Sequence, residues 1–212
     1  MIEAVKRPYD SSRRREQAAE NGRRVIAAAR DLFVSKGYGS TTIAEIAQAA
    51  QVAPETVYAT FRNKPTLLRR AWDVAVGGDD QDVQLLDRPE LQALFDEPDL
   101  RTRLTRFAVV NTAVMRRTAG LRLAIQGAAG ADQTVAAFLA DIDRARLQAM
   151  GVHARHAATT GRLAGSEDEC RDVLFATTDG TLWHTLVARQ GWTDERYRTW
   201  LGRVWVDQLV RR

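Results

Sequence analysis

Apolar residues recur along this chain at intervals of three and four, and no stretch alternates strictly, so the pattern predicts helices and no strands. The first clear stripe is Val25, Ile26, Ala29, Leu32 and Phe33, with Arg23, Arg24, Arg30 and Asp31 off it; a helix over about 20–36 follows, stopped by Gly37 and Gly39. Thr42-Ile-Ala-Glu45 is a capping box, in which hydroxyl and carboxylate each satisfy an orphan amide, so a short helix starts at Thr42 with Ile43, Ile46, Ala47 and Ala50 inward. After a break at Gln51-Val52, Pro54 opens a third helix over about 54–60, buried through Val57 and Phe61. Asn63 caps a fourth, which carries Leu67, Leu68, Ala71 and Trp72. The Gly- and Asp-rich stretch 77–89 reads as a linker or loop. Beyond it helices are expected at about 99–117, 120–129, 132–159, 167–189 and 194–211, the last two started by Ser166-Glu-Asp-Glu169 and by Thr193 with Asp194 and Glu195. The expectation is an all-α chain in two parts, 1–76 and 77–212.

Composition narrows the class. With 212 residues, 45% apolar and 27% charged, the chain can bury a core without staples. Its one cysteine, Cys170, forms no internal disulfide and no Cys-rich zinc site, which fits a reducing compartment, and a cytoplasmic location is expected. No apolar run approaches the ~18–20 residues of a membrane span, and the first twenty residues are charged, without the core of a secretion signal. The net charge of +4 divides as +6 over residues 1–72 and −2 over the rest, so the N-terminal third is the part suited to a polyanion.

Two short helices joined by a tight turn make a helix-turn-helix, whose second helix enters the DNA major groove, although many helical hairpins share that spacing. The wording from Tyr38-Gly-Ser-Thr-Thr-Ile-Ala-Glu through Val-Ala-Pro-Glu-Thr-Val-Tyr-Ala-Thr-Phe-Arg-Asn-Lys64 is more specific: it resembles the DNA-binding region of the tetracycline-repressor (TetR) family of transcriptional regulators. Leu32-Phe33 through Gly37, Thr66-Leu-Leu68 and the late segment Gly191-Trp-Thr-Asp-Glu-Arg-Tyr197 are similar to that family too, while 77–165 matches only in helical character.

The resemblance implies an N-terminal helix-turn-helix DNA-binding domain with a basic arm, 1–76, and a C-terminal helical ligand-binding and dimerisation domain, 77–212. The partners implied are a palindromic double-stranded operator, a second copy of the chain and an unknown small-molecule effector; no membrane partner and no cofactor are expected. Carried over by position, Thr42 resembles the helix-start residue that bonds a phosphate, 53–59 the recognition helix, Tyr58 its phosphate-contacting tyrosine and Lys64 a backbone-contacting lysine. A helix-start hydroxyl and a mobile ammonium suit phosphate oxygens. The plainer alternatives are a tyrosine closing the core and a solvated lysine. Base readout would fall to Ala53, Pro54, Thr56, Ala59 and Thr60, with little hydrogen-bonding reach, and to Glu55, which either accepts from cytosine or faces solvent at a helix start. Arg13, Arg14 and Arg15, with Lys6, Arg7, Arg23 and Arg24 nearby, make a basic arm that either grips DNA or is a solvated tail. Two positions depart from the family pattern: Gln51 stands where a glycine commonly turns the chain, and Ala53 where a Ser or Thr cap is usual.

Four of five tryptophans fall at the end, Trp183, Trp192, Trp200 and Trp205. The final helix is apolar through Tyr197, Trp200, Leu201, Val204, Trp205 and Leu209, and the one before it through Leu174, Leu182, Trp183 and Leu186. Helices apolar on two sides are either central or meet a partner copy, so Leu182, Trp183, Leu201, Trp205 and Leu209 are the candidate dimer contacts. A dimer also places two recognition helices about 34–36 Å apart, the spacing of a palindrome. Phe107, Asn111, Met115, Gln126, Phe138 and Ile142, with Val110, Val114, Ile125 and Met150, are candidate cavity residues, the plain alternative being ordinary core.

No phosphate-cradling loop, nucleophile elbow or Cys/His pair is present, so no enzyme is expected. Asp141 and Asp143 point to different faces, and His153 and His156 lack a third ligand and default to the surface. The leading expectation is a ligand-responsive DNA-binding repressor; the alternative is a helical ligand- or protein-binding dimer that has lost DNA binding.

Overall fold

The computed structural model describes residues 11–79, 81 and 85–211. Helix α1 (Ser11–Lys36) begins well before the apolar stripe does. Residues 12–20 are exposed, so no burial pattern marks them. They are helical through strong helix formers and through bonds one turn apart, Gln17 to Asn21 at 3.0 Å and Arg23 to Glu20 at 2.7 Å. Arg13, Arg14 and Arg15 therefore ride on the first turns of α1 instead of forming an arm before it. Lys6 and Arg7 lie outside the described residues.

Helices α2 (Ile43–Ala49), α3 (Pro54–Phe61) and α4 (Lys64–Gly77) follow the sequence expectation. Thr42 and Glu45 form the capping box, and Asn63 accepts from the Thr66 amide at 2.9 Å. Helix α2 ends in a Schellman turn: the Gln51 amide donates to the Gln48 carbonyl at 3.1 Å and the Val52 amide to Ala47 at 3.0 Å. Gln51 holds the left-handed conformation there, φ 55°, so the turn is kept and glutamine carries a cost of ~1 kcal/mol that glycine would avoid. Ala53 supplies no side-chain cap, yet α3 forms, started by Pro54 and anchored by buried Val57 and Phe61.

Beyond α4 three expectations change. The stretch 77–89 is not all loop: a 3-10 turn at Leu85–Asp87 leads into α5 (Pro89–Phe95), anchored by buried Leu91 and Leu94. The helices expected at 99–117 and 120–129 are one helix, α6 (Leu100–Ala129). Gly120 does not break it; its missing side chain admits α1, since a Cβ there would stand 3.0 Å from Val34. After α7 (Gln133–Ala158), the helix expected at 167–189 is interrupted. Helix α8 (Glu167–Thr177) stops, Gly180 turns at φ 87°, and α9 (Thr181–Trp183) widens into a π-helical turn, His184–Arg189. Gly180 runs so close to α6 that a Cβ would lie 3.1 Å from that of Ala119. Helix α10 (Asp194–Leu209) closes the fold, and the single β-bridge among the described residues pairs Leu163 with Val210.

Two apolar cores result. One joins α1–α4 to Leu121 and Ile125 of α6 and to Val135, Phe138 and Ile142 of α7. The other gathers Leu91, Leu104, Phe107, Leu174 and Tyr197 around Leu201 and Trp205 of α10. The N-terminal helices thus sit on α6 and α7 as part of a shared core. Arg117 of α6 ties this joint, donating to the Ala75 and Val76 carbonyls in the last turn of α4 at 2.8 and 2.9 Å. Those carbonyls have no helical partner, and a cation suits that end of the dipole.

Candidate nucleic-acid interface and ligand cavity

Helix α3 has one face in the core and one in solvent. Val57 and Phe61 are buried, while Ala53, Pro54, Glu55, Tyr58, Ala59 and Thr60 are exposed; Thr56 is half-buried. Tyr58 is 54% exposed, so it does not close the core. A large aromatic left outward on an eight-residue helix, beside small neighbours, leaves room for a grooved partner to approach the backbone.

The turn in front of α2 is tied to the start of α4. The Lys64 ammonium donates to the Tyr38 and Thr41 carbonyls, both at 3.0 Å, and lies 4.3 Å from the centre of the Tyr38 ring. Two of its three protons are therefore used inside the fold, and one remains for a partner. Buried Thr41 donates to the Gly37 carbonyl at 2.8 Å, and Tyr38 packs on Phe33, its burial pushing the phenol up to about 12. Thr42 is exposed, but its hydroxyl already donates to Glu45 at 3.0 Å and accepts from the Glu45 amide at 3.2 Å. The Lys36 ion pair and then the Thr42 bonds hold the Glu45 carboxyl down at about 2, so a phosphate at that helix start meets a fixed negative charge beside the hydroxyl. Arg13, Arg14 and Arg15 are exposed on α1.

A cavity of about 290 Å³ opens between α4, α5, α6 and α7. It brings together four of the expected residues, Phe107, Asn111, Met115 and Ile142, and also Val110, Val114 and Met150. Three expected residues are elsewhere. Gln126 is exposed on α6, one turn past the cavity, and Ile125 and Phe138 are buried in the first core, Phe138 with the Arg69 guanidinium 4.3 Å from its ring. Among the cavity residues that sequence reading missed are the polar Arg122, Arg146 and His153. The signal was present: Arg122 falls in register with Thr118 and Ile125, and Arg146 with Ile142 and Met150, both on inward stripes. His153 is not at the surface but 6% exposed, its ring stacked 4.0 Å from Phe107, and burial first, then His156 and Arg103, pull its pKa down to about 4. Trp72 and Val76 of α4 also line the cavity, so an occupant would touch the helix that follows directly from α3.

The candidate dimer contacts divide. Leu201, Trp205 and Leu209 are buried within one copy, and the Trp205 indole donates to the Thr177 hydroxyl at 2.8 Å. Those three are core, because α10 is central on that side; they are not available to a partner. Leu182 and Trp183 are half-buried, as are Trp200, Val204 and Val206 on the other side of α10. Asp141 pairs with Arg69 and Arg144, Asp143 with Arg122 and Arg146, in keeping with their different faces.

Residues 25–71 match the family model of the bacterial regulatory proteins, tetR family. A stretch of 46 residues is 44% identical to the uncharacterized HTH-type transcriptional regulator YvkB of Bacillus subtilis, covering 22% of this chain and 24% of that relative's length. Over most of the chain the fold is similar to that of a Rhodococcus sp. protein assigned to the TetR family, with a TM-score of 0.69, 16% identity and coverage of 91% of this chain and 100% of that one. It is also similar to the transcriptional regulator FadR of Bacillus subtilis in complex with stearoyl-CoA, with a TM-score of 0.69, 16% identity and coverage of 88% and 98%. No described helix is long and apolar enough to cross a membrane. Residues 25–71 thus match the bacterial regulatory proteins, tetR family, and over most of its length the chain shares the fold of the solved structures just named.

Proposed function

We propose that the chain is a cytoplasmic repressor that binds a palindromic operator as a homodimer and is released by a small molecule. The observation that carries DNA binding is the outward face of α3, with Tyr58 exposed and Val57 and Phe61 fixing the helix from behind. In this reading α3 lies in the major groove, its methyl-rich residues meet thymine edges, Tyr58 and Lys64 grip the flanking phosphates, and Thr42 joins them only by turning its hydroxyl from Glu45. Arg13, Arg14 and Arg15, on the first turns of α1, add sequence-independent attraction.

Release follows from where the cavity sits. An occupant touching Trp72 and Val76 acts on α4, and α4 is tied to α6 by Arg117. If it binds better to a state in which the two recognition helices are wrongly spaced, its differential affinity sets the induction. The division near residue 76 is then a functional boundary lying within a shared core. Self-association would use Leu182, Trp183 and the half-buried side of α10, through Trp200 and Val206.

Selection from random duplex DNA at several salt concentrations tests the reading. Enrichment of a palindrome, with affinity that falls steeply as salt rises, is expected; absence of binding at low salt would leave a helical dimer without DNA-binding activity.

A further inference from the structure

The cavity wall holds four buried donor atoms without a partner. Nε and Nη1 of Arg122, Nε of Arg146 and Nδ2 of Asn111 are buried and have no hydrogen-bond partner among the described residues. Arg122 is 6% exposed and Asn111 5%, and all three side chains line the same cavity. None of the acceptors nearby bonds to these four atoms. One oxygen of Asp143 takes both guanidinium groups, Arg122 at 2.7 Å and Arg146 at 3.1 Å. Asp179 accepts from the Thr181 amide at 2.9 Å and hydroxyl at 2.8 Å. The hydroxyls of Thr118 and Thr178 donate to the Val114 and Leu174 carbonyls, and the depressed pKa of His153 keeps it neutral. Among the described residues the one buried side-chain oxygen without a partner is the Tyr197 hydroxyl, which is not in this wall.

An unmatched buried donor is costly, and more so on a charged group. Two guanidinium groups share one oxygen of Asp143, while Asp179, the second carboxylate of the wall, bonds Thr181 and acts on Arg146 only through space, so an anionic acceptor inside the cavity would satisfy the four orphan donors. The rest of the wall is apolar, with Trp72, Leu86, Phe107, Val114, Met115 and Ile142, and the volume lies at the small end of ligand sites. We propose that the cavity binds a small amphipathic monocarboxylate, its head group on Arg122, Arg146 and Asn111 and its apolar body against the remaining wall. Guanidinium and amide donors suit the two oxygens of a carboxylate, whereas an ammonium head would add a third cation to the cluster.

This deepens the effector reading and rests on it, and the test measures binding without DNA. Calorimetry on the full chain compares hexanoate, octanoate and decanoate with 1-octanol, octylamine and octyl phosphate. The best carboxylate is expected to bind at least about tenfold more tightly than octanol, with octylamine weaker still. Arg122→Gln and, separately, Asn111→Leu should each reduce carboxylate affinity while leaving that for octanol nearly unchanged; the second variant decides if the first does not fold. Equal binding of octanol, tighter binding of octyl phosphate, no carboxylate binding, or unchanged carboxylate affinity in a folded variant would overturn the assignment. A carboxylate that binds yet leaves the DNA complex intact would overturn release alone.

Discussion

Lys64→Met removes the ammonium while keeping the length of the side chain. The structure sets the scale: two charge-assisted bonds to the Tyr38 and Thr41 carbonyls at 3.0 Å, plus the contact with the Tyr38 ring. At ~1.5 kcal/mol for each bond, discounted because the group is half-buried and the carbonyls can rehydrate, the loss of stability should be about 2 kcal/mol. For a chain of this length that is a fall in Tm of roughly 4–8 °C. The remaining proton is the one assigned to a phosphate. Affinity should therefore fall by a similar factor for every duplex sequence, and the slope of log affinity against log salt should shrink by ~0.9 for each copy, about 1.8 for a bound dimer. Urea denaturation and filter binding at four salt concentrations measure both. Unchanged stability would refute the packing argument. An unchanged salt slope would refute the phosphate contact and leave Lys64 as a residue that only positions the turn before α2.

Trp205→Phe should destabilise the fold by about 2–3 kcal/mol, through the lost bond to Thr177 at 2.8 Å and the smaller ring beside Phe107, with the sedimentation behaviour unchanged; dissociation of a dimer at unaltered stability would return Trp205 to the interface. His153 is held neutral in the fold with a pKa near 4 against an ordinary 6.5. Above about pH 6.5 it is neutral folded or unfolded and costs nothing; as pH falls toward about 4 the unfolded chain takes the proton and the native one does not, so stability drops by on the order of 3 kcal/mol. In His153→Phe that part of the acid limb should disappear from unfolding midpoints measured between pH 4 and 7, and an identical pH profile would refute the assignment.

The sequence by itself determined helices α2, α3 and α4, because their starts are local events: a capping box at Thr42, a proline at the head of α3, a cap at Asn63. It also determined which sides of α2 and α3 turn inward, since that follows from the helical period. Tertiary structure decided what local signals cannot carry. Gly120 reads as a break but is an approach point for α1, and the Gly- and Asp-rich stretch before Pro89 ends in a helix that walls the cavity. Trp205 and Trp200 lie on the same apolar helix, yet one is core and the other only half-buried, because burial depends on which helices arrive from elsewhere in the chain. Arg122, Arg146 and Asn111 belong to two helices and become one cluster only when α6 packs on α7, a pairing that no spacing within either helix can specify.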